Sequence, residues 1–294
     1  MGMYFLKYIG ALLLFGTNGI WAGQIHLSSY EIVFFRTLLG SMTMLGVFLL
    51  CRKKFTFTAH RRETLSILLS GIMMGMIWIF MYEAYVRIGV GLASLCYACG
   101  PVIVMALSPL LFGEALENRK KLGFLAVVCG ICMVNGPVST EGMSGGGLLC
   151  GAMSAVTYAG MIIFNKQAKT LPKMENALLQ LLASCVTASL YLGWKGGLSV
   201  FPDDASLLPL FILGVANTGI GCWLYFSSIP ELSVQTVAVC DYIEPLTAVI
   251  LACLLLGETM SVLQLAGACL MMGGAVFCEM KGRAERKETV PARS

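Results

Sequence analysis

The chain has 294 residues, of which 57% are hydrophobic and only 12% charged, and its mean hydropathy is +0.81. Ordinary soluble domains carry about 25% charged residues, and so much apolar side chain cannot be hidden in one water-facing core, so a soluble globular protein and a disordered chain are both excluded. The net charge of +4 is small, and the placement of the basic residues says more than their sum.

About 20 apolar residues are needed for a helix to cross about 30 Å of hydrocarbon. Apolar stretches between polar breaks predict ten such spans, at 4–24, 31–51, 64–86, 89–112, 119–137, 145–165, 174–194, 205–228, 232–256 and 260–280. In the first, Lys7 is followed by an apolar run too long for that of a secretory signal peptide, so this span is expected to be retained as helix one. With a cytoplasmic N-terminus, the inside set holds Lys7; Arg52, Lys53, Lys54, Arg61 and Arg62; Arg119, Lys120 and Lys121; Lys166, Lys169 and Lys173; and Lys281, Arg283, Arg286, Lys287 and Arg293. These are 17 of the 20 basic residues; Arg87 and Lys195 fall outside, and Arg36 falls within a span. This bias places both termini in the cytoplasm, and it needs no nucleic-acid partner to explain it. Most of the twelve cysteines sit singly in apolar runs, as reduced structural thiols do.

The two halves of the chain are related. LLFGEAL at 110–116 matches LLLGETM at 254–260, Pro101 matches Pro245, Gly123 matches Gly267, Gly130 matches Gly274 and Glu31 matches Glu175, all at an offset of 144. Tyr82 and Tyr225 differ by 143. Each unit holds five spans, an odd number, so the second enters the membrane from the opposite side, as in secondary transporters. The expected organisation is an all-α integral membrane protein of ten transmembrane helices in two inverted five-helix repeats. The first repeat is 1–137, an external linker follows at 138–147, the second repeat is 148–280, and 281–294 is a basic cytoplasmic tail. The glycines of the linker are no phosphate loop, because no Lys-Ser/Thr follows them.

Pro101 and Pro245 lie 12 or 13 residues into spans four and nine, roughly 18 Å along a helix and hence near the midplane. Proline lacks an N–H and clashes with the carbonyl four residues back, so the carbonyls of Tyr97 and Asp241 lose their helical partners. Backbone exposed at this depth must face protein or a water-filled cavity, so the prolines mark either a helix-break hinge beside a polar cavity or a pair of packing kinks. Asp241 and Glu244, three residues apart, share one face of span nine, and buried in lipid they would need a partner or water. They are candidates for binding substrate or carrying a coupling proton, or else serve as structural hydrogen-bonding groups. Their first-repeat counterparts are Tyr97 and Gly100, so the acidic function is asymmetric.

Arg36 could bind a substrate carboxylate, pair with Glu244 or snorkel outward. Glu83, four residues before Arg87, fits a local helix pair, and Glu114 and Glu258 fit caps or anchors at matching helix ends. Asn18, Trp21, Trp78, Tyr82, Tyr97, Tyr158, Trp223, Tyr225 and Tyr242 could line a cavity for an organic substrate, or act as packing and interface residues. Gly123, Gly130, Gly267, Gly273 and Gly274 suit close helix approach. The CxxC pairs Cys96/Cys99 and Cys129/Cys132 lie inside apolar helices, His26 and His60 sit near span ends, and no catalytic constellation surrounds them. No metal, no cofactor and no enzymatic activity are expected.

The proline followed by FGE at 112–114 or by LGE at 256–258, repeated in two five-span halves, resembles the EamA-type transporters of the drug/metabolite transporter superfamily. The segment DYIEPLTAVILACLLLGE at 241–258 is similar to the ninth helix of that family. The resemblance implies a ten-helix fold, a central cavity between helices around the proline-bearing pair, and alternating-access movement of amino acids, related metabolites or toxic organics. Glu244 matches a common family residue, whereas Asp241 stands where a small polar residue is expected. The resulting expectation is a secondary transporter of the bacterial inner membrane, more an exporter than an importer, whose partners are a small-molecule substrate, protons in the coupled version, and the lipid bilayer. The alternatives are efflux of toxic cations, facilitated diffusion without a coupling ion, and an embedded enzyme.

Overall fold

A computed structural model of the chain describes residues 2–58, 60–113, 118–135, 144–199, 202–256 and 261–279. Glu114, Glu258, linker residues 138–143 and the tail at 281–294 lie outside the described residues. The described residues are helical apart from turns and short connections: α1 (Gly2–Gly16), α2 (Asn18–Ala22), α3 (Ser29–Leu50), α4 (Arg61–Tyr97), α5 (Cys99–Phe112), α6 (Asn118–Asn135), α7 (Gly145–Gln167), α8 (Lys173–Trp194) and α9 (Asp204–Phe211). A π-helical segment (Ile212–Gly221), α10 (Cys222–Ser228), a 3-10 turn (Ile229–Glu231), α11 (Val234–Cys240), α12 (Ile243–Leu256) and α13 (Val262–Glu279) follow. Among the described residues six segments are long and apolar enough to cross a membrane: Gly2–Ala22, Ser29–Leu50, Arg61–Ala84, Gly145–Gln167, Lys173–Trp194 and Asp204–Glu231. They correspond to expected spans one, two, three, six, seven and eight.

Three departures from the expected spans have local causes. The helix of span three runs on without interruption to Tyr97 and takes in the first residues of span four, because no proline interrupts it and the Glu83–Arg87 pair at 3.2 Å joins adjacent turns. Span one breaks at Thr17, where the threonine hydroxyl donates to the Leu14 carbonyl at 2.7 Å and Asn217 Nδ2 donates to the same carbonyl at 3.1 Å. Span eight widens into the π-helical segment, in which Thr218 Oγ1 donates to the carbonyl of Leu213, five residues back, at 2.8 Å. Side chains that take over backbone carbonyls in this way locally replace the regular helical ladder.

Contacts across the molecule exchange the two halves. A Cβ on Gly130 would meet the Gly267 carbonyl at 2.6 Å, and a Cβ on Gly274 would meet the Gly123 carbonyl at 2.6 Å, so the α6–α13 crossing maps onto itself under the 144-residue offset. Gly75 against Thr187 and Gly219 against Thr43 are a second such pair. The acidic mates repeat the relation: Glu31 accepts from the N–H of Ser199 at 2.7 Å, and Glu175 accepts from the N–H of Thr56 at 2.9 Å. Tyr242 donates its hydroxyl at 2.6 Å to the carbonyl of Ala98, its own counterpart 144 residues earlier. Self-mapping contacts are the mark of a two-fold relation, and its axis runs close to the Tyr242–Ala98 bond. In lipid the hydrophobic effect does not draw helices together, so the glycines matter because they let backbones approach closely and dispersion act.

One end of the bundle gathers Tyr4, Lys7, Thr56, Lys173 and Glu231. Lys173 pairs with Glu231 at 2.8 Å and lies 3.6 Å from the Tyr4 ring centre, and Lys166 donates to the carbonyls of Ile229, Pro230 and Leu232. Most of the largest fully buried side chains, among them Tyr8, Phe48, Tyr158, Ile162, Leu178 and Ile229, belong to one apolar core. The opposite end holds the Glu31–Ser199 and Glu83–Lys195 contacts.

Candidate functional site

The helix interruptions stand where the prolines direct them. α4 and α5 are separated by Ala98, three residues before Pro101, and α11 and α12 by Asp241 and Tyr242, four and three residues before Pro245. In the second break the N–H of Glu244 turns back to the Asp241 carbonyl at 3.3 Å, a tighter bond than the helix would make.

Asp241 is buried, and both its oxygens are engaged. Tyr8 on α1 makes a short hydrogen bond to Oδ1, and Tyr225 on α10 donates to Oδ2 at 3.0 Å. The two tyrosine rings stack with centres 5.0 Å apart, and Phe15 flanks Tyr225 at 5.6 Å. A carboxylate accepting two hydroxyls is satisfied in a low-dielectric interior, so this cluster ties α1, α10 and the break together.

Glu244 differs. It lies deep among its neighbours yet keeps part of its surface accessible, and no side chain among the described residues hydrogen-bonds its carboxylate. Its surroundings include Arg36 on α3, whose charge acts on it, and Cys222 and Tyr225 on α10. Arg36 is only 4% exposed. Its Nε donates to Thr218 Oγ1 at 3.1 Å, and its guanidinium sits 4.3 Å from the ring centre of Trp78, which is half-buried. Among the described residues no carboxylate approaches Arg36 within 4 Å, so Arg36 and Glu244 sense each other without forming an ion pair.

Of the expected site residues, the structure brings together Asp241, Glu244, Arg36, Trp78 and Tyr225. Asn18 adjoins this group through Asn217, which donates to Asn18 Oδ1 at 2.9 Å. Tyr97 and Tyr158 meet edge-on at 5.6 Å beside the first break, and Tyr242 spans the two breaks. Others are engaged elsewhere. Glu83 binds Arg87, Lys195 at 2.8 Å and the Tyr191 hydroxyl at 2.5 Å, and this partnership holds the Lys195 ammonium above its ordinary pKa. Trp21 packs on the apolar group of Ile25, Ile32, Leu210 and Leu213, and Trp223 lies 5.4 Å from the Lys7 ammonium. Tyr82 is half-buried within α4. Sequence reasoning passed over Tyr8, Thr218 and Cys222. The one available signal was at Tyr8, a tyrosine amid an apolar span, whose buried hydroxyl requires a partner. An apolar pocket of about 460 Å³ between α3 and α9, lined by Phe35, Leu39, Pro202, Leu207, Leu208, Leu210 and Phe211, offers a solute no polar side chain.

No group of three or more metal-ligating side chains occurs among the described residues. Apolar helices long enough to cross a membrane, two exchangeable halves and helices interrupted around buried charges define a multi-pass membrane protein of the transporter class. The EamA-like transporter family matches residues 2–136 and again 145–279, and the chain belongs to that family. It is 22% identical over 274 residues to the uncharacterized transporter YxxF of Bacillus subtilis, covering 92% of this chain and 87% of that protein. It is 26% identical over 204 residues to a probable amino-acid metabolite efflux pump of Salmonella typhimurium, covering 63% of this chain and 65% of that one. A crystal structure of another protein shares the fold with a TM-score of 0.82 at 18% identity, covering 94% of this chain and 97% of its own. The family and its named members are transporters rather than enzymes, so a small-molecule substrate and a lipid environment follow for this chain.

Proposed function

We propose that this chain is a secondary transporter of the cytoplasmic membrane, which exports amino acids or related small metabolites by alternating access. In this reading ten helices form two inverted halves with both termini in the cytoplasm, and the solute site lies at the helix breaks. The observation that carries it is Glu244: a carboxylate deep in the protein, accessible, without a side-chain partner among the described residues, and placed beside a break at the two-fold axis. A buried charge left without a partner is costly, and a solute's ammonium group or a coupling proton supplies what is missing. Asp241 is the less suitable ligand, because Tyr8 and Tyr225 already hold it, and in this reading it positions the break. The breaks at Pro101 and Pro245 serve as hinges as the halves rock, and export agrees with the name of the Salmonella relative.

The test is flux of radiolabelled amino acids in proteoliposomes, with and without an imposed pH gradient. Saturable flux lost in Glu244→Gln supports the reading. Unchanged flux and pH dependence in both Glu244→Gln and Asp241→Asn would overturn it.

A further inference from the structure

Arg36 is a buried cation whose partners among the described residues are a hydroxyl and an aromatic face. Its Nε is used by Thr218, while the guanidinium plane rests over Trp78 at 4.3 Å, which fixes its orientation. Thr218 is itself held, donating to the Leu213 carbonyl inside the π-helical segment, so the arginine is anchored to an element whose geometry is already unusual. Neither contact neutralises the charge: a hydroxyl oxygen contributes a dipole, and an aromatic ring contributes a quadrupole. Glu244 and Cys222 are the titratable groups on which this cation acts, and among the described residues no carboxylate pairs with it directly. A planar guanidinium whose two terminal nitrogens are unused among the described residues is built for bidentate capture of a carboxylate.

We infer that Arg36 forms an anion subsite opposite Glu244, so that the transported solute must carry a carboxylate as well as an amine. This rests on the transporter reading above and narrows it, because a site of two acidic residues alone would accept a simple organic cation equally well. Trp78 is half-buried and holds the guanidinium against its ring. The positive and negative groups come from different halves of the chain, α3 and α12, so a zwitterion bridges the two halves and closing around it draws them together.

The experiment measures uptake by proteoliposomes of three probes matched in shape: phenylalanine, phenylalaninamide and phenethylamine. The last two keep the amine and aromatic ring but lack the free carboxylate. A site built to bond a polar group rejects analogues lacking it, and the expected preference for phenylalanine is at least about tenfold in kcat/KM. Arg36→Gln is expected to remove that preference and Arg36→Lys to restore part of it, while Glu244→Gln lowers flux of all probes. The preference is a ratio within one preparation, so poor yield of a variant does not mimic the result. Equal wild-type transport of all three, or a preference that survives Arg36→Gln, overturns the anion subsite and leaves the transporter reading standing. Absence of flux for every probe and for a wider amino-acid panel overturns both.

Discussion

Arg36 and Gln180 occupy the same place in the two halves, 144 residues apart, and have opposite fates. Gln180 is fully buried, bonded to Asn176 at 3.4 Å, and its helix is so close to α4 that a Cβ on Gly71 would meet the Gln180 carbonyl at 2.5 Å. Asn165 extends the amide cluster, donating to Asn176 at 3.1 Å. Arg36 instead lies over Trp78 with no anion in contact among the described residues. The breaks differ in the same way: the first offers Tyr97 and Gly100, the second Asp241 and Glu244. The scaffold is two-fold, and the chemistry on it is not. One half supplies a cation and the other an anion, as binding of an unsymmetrical solute on a pseudo-symmetric axis requires.

The largest effect expected from that asymmetry is on transport. Glu244→Gln should lower flux about 100-fold, equivalent to about 2.7 kcal/mol, whereas Gln180→Met should leave flux within about threefold, because it only replaces packing. Equal losses in the two variants, measured by counterflow, would mean that the halves contribute alike. Next comes stability at the acidic break. Asp241→Asn exchanges a buried carboxylate with two hydroxyl donors for an amide that can accept from only one side, and should cost about 3 kcal/mol. Tyr8→Phe and Tyr225→Phe should each cost about half as much, and a calorimetric melt in detergent that shows no loss in any of them would break the tyrosine clamp.

Where the halves are equivalent, paired substitutions should match. Gly130→Ala and Gly274→Ala each press a methyl onto the partner's carbonyl and should destabilise by about 1–3 kcal/mol in like measure. Glu31→Gln and Glu175→Gln, which loosen the reciprocal loop contacts, should each cost about 1–2 kcal/mol. A cost confined to one member of either pair, read from chemical denaturation in micelles, would show that the two-fold contacts are not energetically alike. The smallest effect belongs to Asp203, which lies outside the spans, half exposed, and accepts from Ser206 and His26. The Ser206 hydroxyl first, and then His26, hold its carboxyl at about 2, below the ordinary 3.8. Its slight contribution is therefore complete above pH 3.8 and fades as pH falls toward 2, so the small difference between wild type and Asp203→Asn should close over that window in melts at graded pH.

The amino-acid sequence alone determined the class of this protein. Its composition forced a membrane solvent, and the 144-residue repeat with Pro101 and Pro245 located both helix breaks to within a residue or two, because a missing N–H acts locally whatever surrounds it. Tertiary structure decided which groups meet. That Tyr8 would clamp Asp241 across 233 positions, that Thr218 and Trp78 would hold Arg36, and that Glu83 would be absorbed by Lys195 and Tyr191 depend on how helices cross. The π-helical turn and the break at Thr17 were equally hidden, since Asn217 creates one end of that contact from a distant helix. Hydropathy reports how each segment partitions into lipid, an additive property of single residues. Partner choice among buried polar groups is a property of pairs, set by packing, and it separated a satisfied aspartate from a glutamate three residues away that has no side-chain partner among the described residues.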